Sequence, residues 1–168
     1  GNASGLGGLD YNSAVVGNSP TKTIYGQYRT LVYGDENSEF FPEPDNSSYV
    51  ESIYVLSINR ARFKEKLLPG SFKMHLNGTT DITLKDESSL VSTISYCDAG
   101  RIYNIVATSA SSSGTRIYGK LLPDIGVIIL NGKELDDDTT GITLGTMLTP
   151  NTLGTNIGKL VTVFGGTT

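Results

Sequence analysis

Residues 114–120 read GTRIYGK, the spacing of a loop whose backbone N–H groups cradle phosphate oxygens while its lysine reaches them. Leu121 stands where a serine or threonine would hold magnesium. The run also lies between a serine-rich stretch and Leu-Leu-Pro-Asp, not between a strand and a helix whose N-terminus would face the phosphate. This context argues against nucleotide binding. Asp136, Asp137 and Asp138 offer oxygens to a hard cation, yet consecutive residues of an extended chain point to opposite sides and no calcium-loop spacing is present, so a solvated loop is expected. Glu36 with Glu39, and Glu43 with Asp45, are carboxylate pairs of the type that serve as acid and base in glycoside hydrolysis. They sit in a stretch broken by Pro42 and Pro44, and sequence proximity does not set the separation that mechanism needs.

His75 is the only histidine and alternates with Met74 and Leu76, which places it on the outer face of a strand without a neighbouring ligand. Cys97, the only cysteine, lies between Tyr96 and Asp98 with no cationic neighbour to lower its pKa, so it reads as a small buried hydrophobe. One cysteine excludes a disulfide framework and a thiolate zinc site. No catalytic residue, metal or cofactor is expected. Nine tyrosines supply rigid contact area with a polar tip. Tyr25, Tyr28 and Tyr33, with Phe40 and Phe41 as anchors in the acidic loop, form one candidate interface. Val161, Val163 and Phe164, in the strand-like run KLVTVF, form another, suited to joining a neighbour's sheet edge. Asn2, Asn46 and Asn77 each open an N-x-Ser/Thr sequence, which chance explains in a chain this rich in serine and threonine.

The chain of 168 residues carries a formal net charge of −4, with 20 glycines and 38% hydrophobic residues. That length suits one ordinary domain with a sizeable core. A sequence pI near 4.9 argues against nucleic-acid binding, which needs a basic surplus to displace counterions. The best basic cluster, Arg60, Arg62, Lys64 and Lys66, is interrupted by Glu65 and reads as a solvated face. The longest wholly apolar run is residues 127–130, far short of the ~20 residues of a membrane span. Gly1 replaces an initiating methionine and no signal-peptide pattern follows, so a processed chain or a fragment is expected.

Turn formers every few positions make residues 1–20 an extended arm. Residues 21–33, rich in Tyr, Thr, Ile and Val around Gly26, predict two short strands or one bent strand, and residues 34–48 a long loop. Residues 49–59 alternate with both faces apolar, predicting a central strand. At most one short helix is expected, near residues 61–68, ended by Pro69-Gly70. Asn77-Gly78 between residues 71–76 and 81–85 predicts a hairpin. Residues 88–98 and 101–109 are strand-like, and Pro123-Asp124 between residues 115–122 and 125–130 predicts a tight hairpin with a buried second arm. Residues 136–168 read as an extension with a final strand. The expected fold is all-β, an antiparallel sandwich of jelly-roll or immunoglobulin-like type over residues 21–135.

The segments SIYVLSINRARFKEKLLPGSFKMHLNG (52–78), DITLKDES (81–88), AGRIYNIVA (99–107) and YGKLLPDIGVIILNGKEL (118–135) together resemble a domain of virion structural proteins of marine tailed phages, cyanophages among them. The resemblance covers residues 52–135, about half of the chain, and brings no catalytic motif. It implies localisation in the virion and a non-enzymatic role in the tail, baseplate or fibre attachment. The implied partners are other virion proteins and copies of the same chain, with no nucleic acid and no membrane. Two alternatives stay open: a capsid decoration or head protein, and a β module that binds a host-surface glycan or receptor.

Overall fold

The computed structural model describes residues 20–35, 37, 38, 40, 41, 53–63, 65–77, 81–110 and 116–136. In chain order the elements are helix α1 (Pro20–Tyr33), strand β1 (Ile53–Ser57), a 3-10 turn at Arg60–Arg62, strands β2 (Lys73–Leu76), β3 (Ile82–Asp86), β4 (Ser95–Cys97), β5 (Gly100–Ala107), β6 (Gly119–Leu122) and β7 (Val127–Asn131), and the short helix α2 (Gly132–Asp136). The seven strands among the described residues pair antiparallel in one sheet, in the order β1-β7-β6-β5-β3-β2, with β4 attached to β5 off that path. The sheet curls into a half-barrel, where two facing sheets had been expected. Mostly antiparallel β architecture is as the sequence predicts.

Residues 21–33 are the clearest departure, being helical where strands were expected. Pro20 suits the first helical position because its missing N–H has no intrahelical role there. Gly34 ends the helix at φ +69, and its N–H donates to the Thr30 carbonyl at 2.8 Å. Ile24, Tyr25, Tyr28, Leu31 and Val32 fall at helical spacing, and all but Ile24 pack into one core cluster on the sheet. Burial of that stripe outweighs the β preference of its aromatic and branched residues. Gly26 is not a bulge; it sits mid-helix, and a Cβ there would meet nothing within 4 Å. Gly26→Ala is therefore expected to raise stability by about 0.5–1 kcal/mol, read as a higher denaturation midpoint with unchanged denaturant dependence.

The strand expected to be central, β1, is an edge strand among the described residues, where it is bonded to β7 alone. Its apolar outlook on both faces reflects cover from two layers, not strands on both sides. The hairpin joining β2 and β3 is as predicted, with Met74 and Leu76 buried and Lys73 and His75 exposed. His75 Nδ1 lies 2.9 Å from the Thr83 hydroxyl of the opposing strand. The expected helix near residues 61–68 contracts to the 3-10 turn, where the Asn59 side chain accepts the Ala61 N–H. Of residues 88–98 only β4 is a strand. β6 and β7 form the predicted hairpin, and every residue of β7 is buried.

Two cores follow from the alternation of β7. Ile128 and Leu130 face a cluster with Met74, Leu76, Leu84, Ile105, Leu121 and Leu135. Val127 and Ile129 face the other side, where Tyr25, Val32, Phe40, Phe41, Ile102 and Leu122 fasten α1 and the following loop to the sheet. Gly119 lets β6 approach β7, since a Cβ there would meet the Ile129 carbonyl oxygen. The arm over residues 1–20 lies outside the described residues apart from Pro20, and the extension over residues 136–168 lies outside them apart from Asp136.

Candidate functional site

Lys120, the lysine of the phosphate-loop spacing, sits on strand β6 and not at the start of a helix. Alternation turns it, with Leu122, toward the core under α1. Its Nζ donates to the Asn104 Oδ1 on the paired strand at 2.9 Å. The Tyr33 and Phe41 rings each have their centres 5.8 Å from Nζ, a distance at which ring faces attract a cation. Glu87, itself buried, accepts the Asn104 backbone N–H at 3.0 Å and donates its own N–H to the Asn104 carbonyl at 3.0 Å. The lysine is thus wired to an amide and, one residue further, to a carboxylate.

Burial pulls the Lys120 ammonium below its ordinary pKa, with the Glu87 charge opposing. Burial also pushes up the Tyr33 phenol and the Cys97 thiol. The Tyr33 hydroxyl accepts the Phe41 N–H at 3.4 Å, and Phe41 has φ +49, an uncommon conformation for a bulky residue. Phe41 is held there by packing on Phe40, whose ring in turn meets Tyr25 and Tyr33 edge-on at 5.1 and 5.4 Å. An amine with a lowered pKa is a better nucleophile near neutrality, but here its hydrogen bond and flanking rings tie the sheet to the segment that follows α1. The linkage has a definite sign. The unfolded lysine holds its proton to higher pH than the folded one, so this group's contribution to stability rises as pH climbs from the folded pKa toward ~10.4. Lys120→Met is expected to remove that alkaline rise from the stability–pH curve while keeping the fold, as measured by denaturation from pH 7 to 10; a curve parallel to the wild type would show that the ammonium is not desolvated.

The other polar groups at the ends of strands are fastenings. Asp86, buried at the end of β3, accepts the Gly70 N–H through both oxygens at 2.9 Å and the Ser88 N–H at 3.1 Å. Asp124 in the β6–β7 turn accepts the Arg101 backbone N–H at 2.7 Å and pairs with its guanidinium at 2.8 Å. The Arg101 guanidinium holds the Asp124 carboxyl below the usual carboxylate range. Gly100, at φ +100, leaves room for that carboxylate. Among the described residues no group of three or more His, Cys, Asp or Glu is placed to hold a metal ion, and no helix is long and apolar enough to cross a membrane.

Of the interface residues expected from the sequence, Tyr25, Phe40 and Phe41 are buried inside the chain, and Tyr28 and Tyr33 are half-buried against the same cluster. As placed, they secure α1 and do not present an open tyrosine platform. Val161, Val163 and Phe164 lie outside the described residues. Exposed apolar surface occurs elsewhere: Leu68 is 72% exposed, Tyr96 70%, Ile94 44% and Ile125 39%. Leu68, Tyr96 and Ile125 belong to segments that meet at the β6–β7 turn. The Leu67 N–H donates to the Pro123 carbonyl at 2.9 Å, the Ile58 N–H donates to the Gly126 carbonyl at 2.9 Å, and Tyr96 lies opposite Arg101, the partner of Asp124. Phe63 covers Gly126, and the Arg60 guanidinium stands 5.2 Å from the Phe63 ring centre. The signal in the sequence was apolar residues at turn positions, Leu68 before Pro69-Gly70 and Ile125 after Pro123-Asp124, where turn chemistry alone asks for polar ones. No family model, curated protein or solved structure matches this chain.

Proposed function

We propose that this chain is a non-enzymatic structural subunit of a tailed-phage virion, in the tail, baseplate or fibre attachment, working through protein–protein contacts. The observation that carries the contact role is the set of exposed Leu68, Tyr96 and Ile125 on segments that meet at one turn, since apolar side chains gathered at one place on a small domain mark an interaction surface. The virion assignment rests on the pattern of residues 52–135, the stretch that holds every strand among the described residues and α2 up to Leu135. The burial of Tyr25 weighs against the tyrosine glycan platform.

The test is the copy number and position of the chain in purified virus particles, by quantitative mass spectrometry and particle reconstruction. A small multiple of three or six at the tail or baseplate supports the proposal. Hundreds of copies on the head would make the chain a decoration protein, and absence from particles would overturn the virion reading.

A further inference from the structure

Asn104 and Lys120 lie directly opposite each other on β5 and β6. The Lys120 ammonium donates to the carboxamide oxygen of Asn104 at 2.9 Å, and among the described residues it is in no ion pair. An amine held against a carboxamide can exchange for its nitrogen, provided that the amine sheds its proton and a third group carries a proton to the leaving nitrogen. Both conditions have a residue here. Burial, with the Tyr33 and Phe41 rings 5.8 Å from Nζ, draws the ammonium below its ordinary pKa, so more of it is free amine near neutrality. Glu87 is buried, follows the last residue of β3, and engages the backbone of Asn104 through both its N–H and its carboxylate, at 3.0 Å each. Its charge also acts on the Lys120 ammonium. Because β3, β5 and β6 are neighbours in the sheet, Glu87, Asn104 and Lys120 form a row across it.

We propose that Lys120 and Asn104 join through an intramolecular amide bond, formed by the folded chain itself with Glu87 as the proton carrier. The free amine Nζ attacks Cγ of Asn104; the Nζ–Cγ bond forms, the Cγ–Nδ2 bond breaks, and the carboxamide nitrogen leaves as ammonia. The Glu87 carboxylate takes a proton from the attacking amine and passes it to the departing nitrogen, so it ends as it began. Nothing is oxidised or reduced and no co-reactant enters: an ammonium and a carboxamide become a secondary amide and an ammonium ion. The carbonyl carbon lies one C=O bond, ~1.23 Å, beyond the oxygen that the lysine already holds, so turning the end of the lysine side chain brings Nζ to it without moving either strand. The bond closes the chain between residues 104 and 120 into a ring and fastens β5 to β6, restricting the unfolded chain as other cross-links do. The alkaline rise in stability expected of Lys120 belongs to chains whose amine is still free and disappears as the bond forms. The bond lies within one chain and stands independently of the virion reading.

The experiment is the intact mass of the purified full chain, read under denaturing conditions after incubation at neutral to mildly alkaline pH, beside K120R, N104A and E87Q. The wild type is expected to fall about 17 Da below the mass of its sequence, one ammonia, while K120R and N104A keep theirs. E87Q, whose side-chain carbonyl can still accept the Asn104 N–H, is expected to form the bond about a hundredfold more slowly. Closure of Asn77-Gly78 or Asn131-Gly132 to a succinimide sheds the same mass, so a tryptic digest must locate the loss. Acylated Lys120 is no longer cleaved, and residues 102–116 are expected to appear joined to residues 117–133. A folded wild type that keeps its full mass overturns the proposal, as does a loss that persists in K120R or a digest without the branched peptide. A bond that forms as fast in E87Q overturns the role given to Glu87. Since the wild-type mass and the branched peptide decide the matter by themselves, a variant that fails to fold does not blunt the test.

Discussion

Phe40→Ala is expected to cost about 3–5 kcal/mol and to loosen α1 before the sheet. Phe40 is fully buried and touches Tyr25 and Tyr33 of the helix edge-on, with Phe41 stacked at a tilt beside it. Truncation removes the ring that these three share, and the positive φ of Phe41 loses its packing support. The helix of 14 residues is near the length at which isolated helices are marginal, so its order depends on this cluster. Hydrogen exchange should therefore show the amides of residues 24–33 losing protection while those of β5, β6 and β7 keep most of theirs. Uniform loss across both would mean that helix and sheet open as one unit; a cost below about 1 kcal/mol would mean that the cluster adds little.

Leu130→Ala acts on the other core and should behave differently. Leu130 is fully buried on β7, pairs with Tyr54 on β1 and Gly119 on β6, and packs among Leu76, Leu84, Ile105, Leu121 and Leu135. The expected loss is about 2–5 kcal/mol, set by the removed methyl groups and by how little a strand bonded on both sides can collapse into the cavity. Since β7 joins β1 to the rest of the sheet, protection should fall throughout the sheet, β1 most of all. Equilibrium denaturation gives the size, and exchange gives the pattern; retained protection in β1 would show that this edge is held by the second core instead.

The strands were legible where alternation and turn chemistry agreed. Residues 71–76 and 81–85 bracket Asn77-Gly78, and residues 115–122 and 125–130 bracket Pro123-Asp124; both hairpins exist because a period of two and a turn former each specify the same register. Helix α1 is hidden from a local reading because its residue types favour strands while their spacing fits a helix. The second signal was outweighed by composition when only local sequence was weighed. Lys120 is equally ambiguous: GTRIYGK carries the spacing of a phosphate loop, but β pairing with Asn104 makes the lysine a half-buried tie. The exposed rim residues were overlooked because single apolar residues in turns are common and acquire meaning only when several meet.

Sequence alone determined that the chain would build antiparallel β-structure around the run at residues 127–130, because alternation and turn residues act within a few positions of the chain. Tertiary structure decided that the strands curl in one sheet with β1 at its edge, that residues 20–33 wind into a helix, and that Phe40 turns inward while Leu68 and Tyr96 face solvent. Those outcomes depend on which distant surfaces bury one another, and a helical stripe and a pleated face bury equally apolar side chains until the opposing surface is in place.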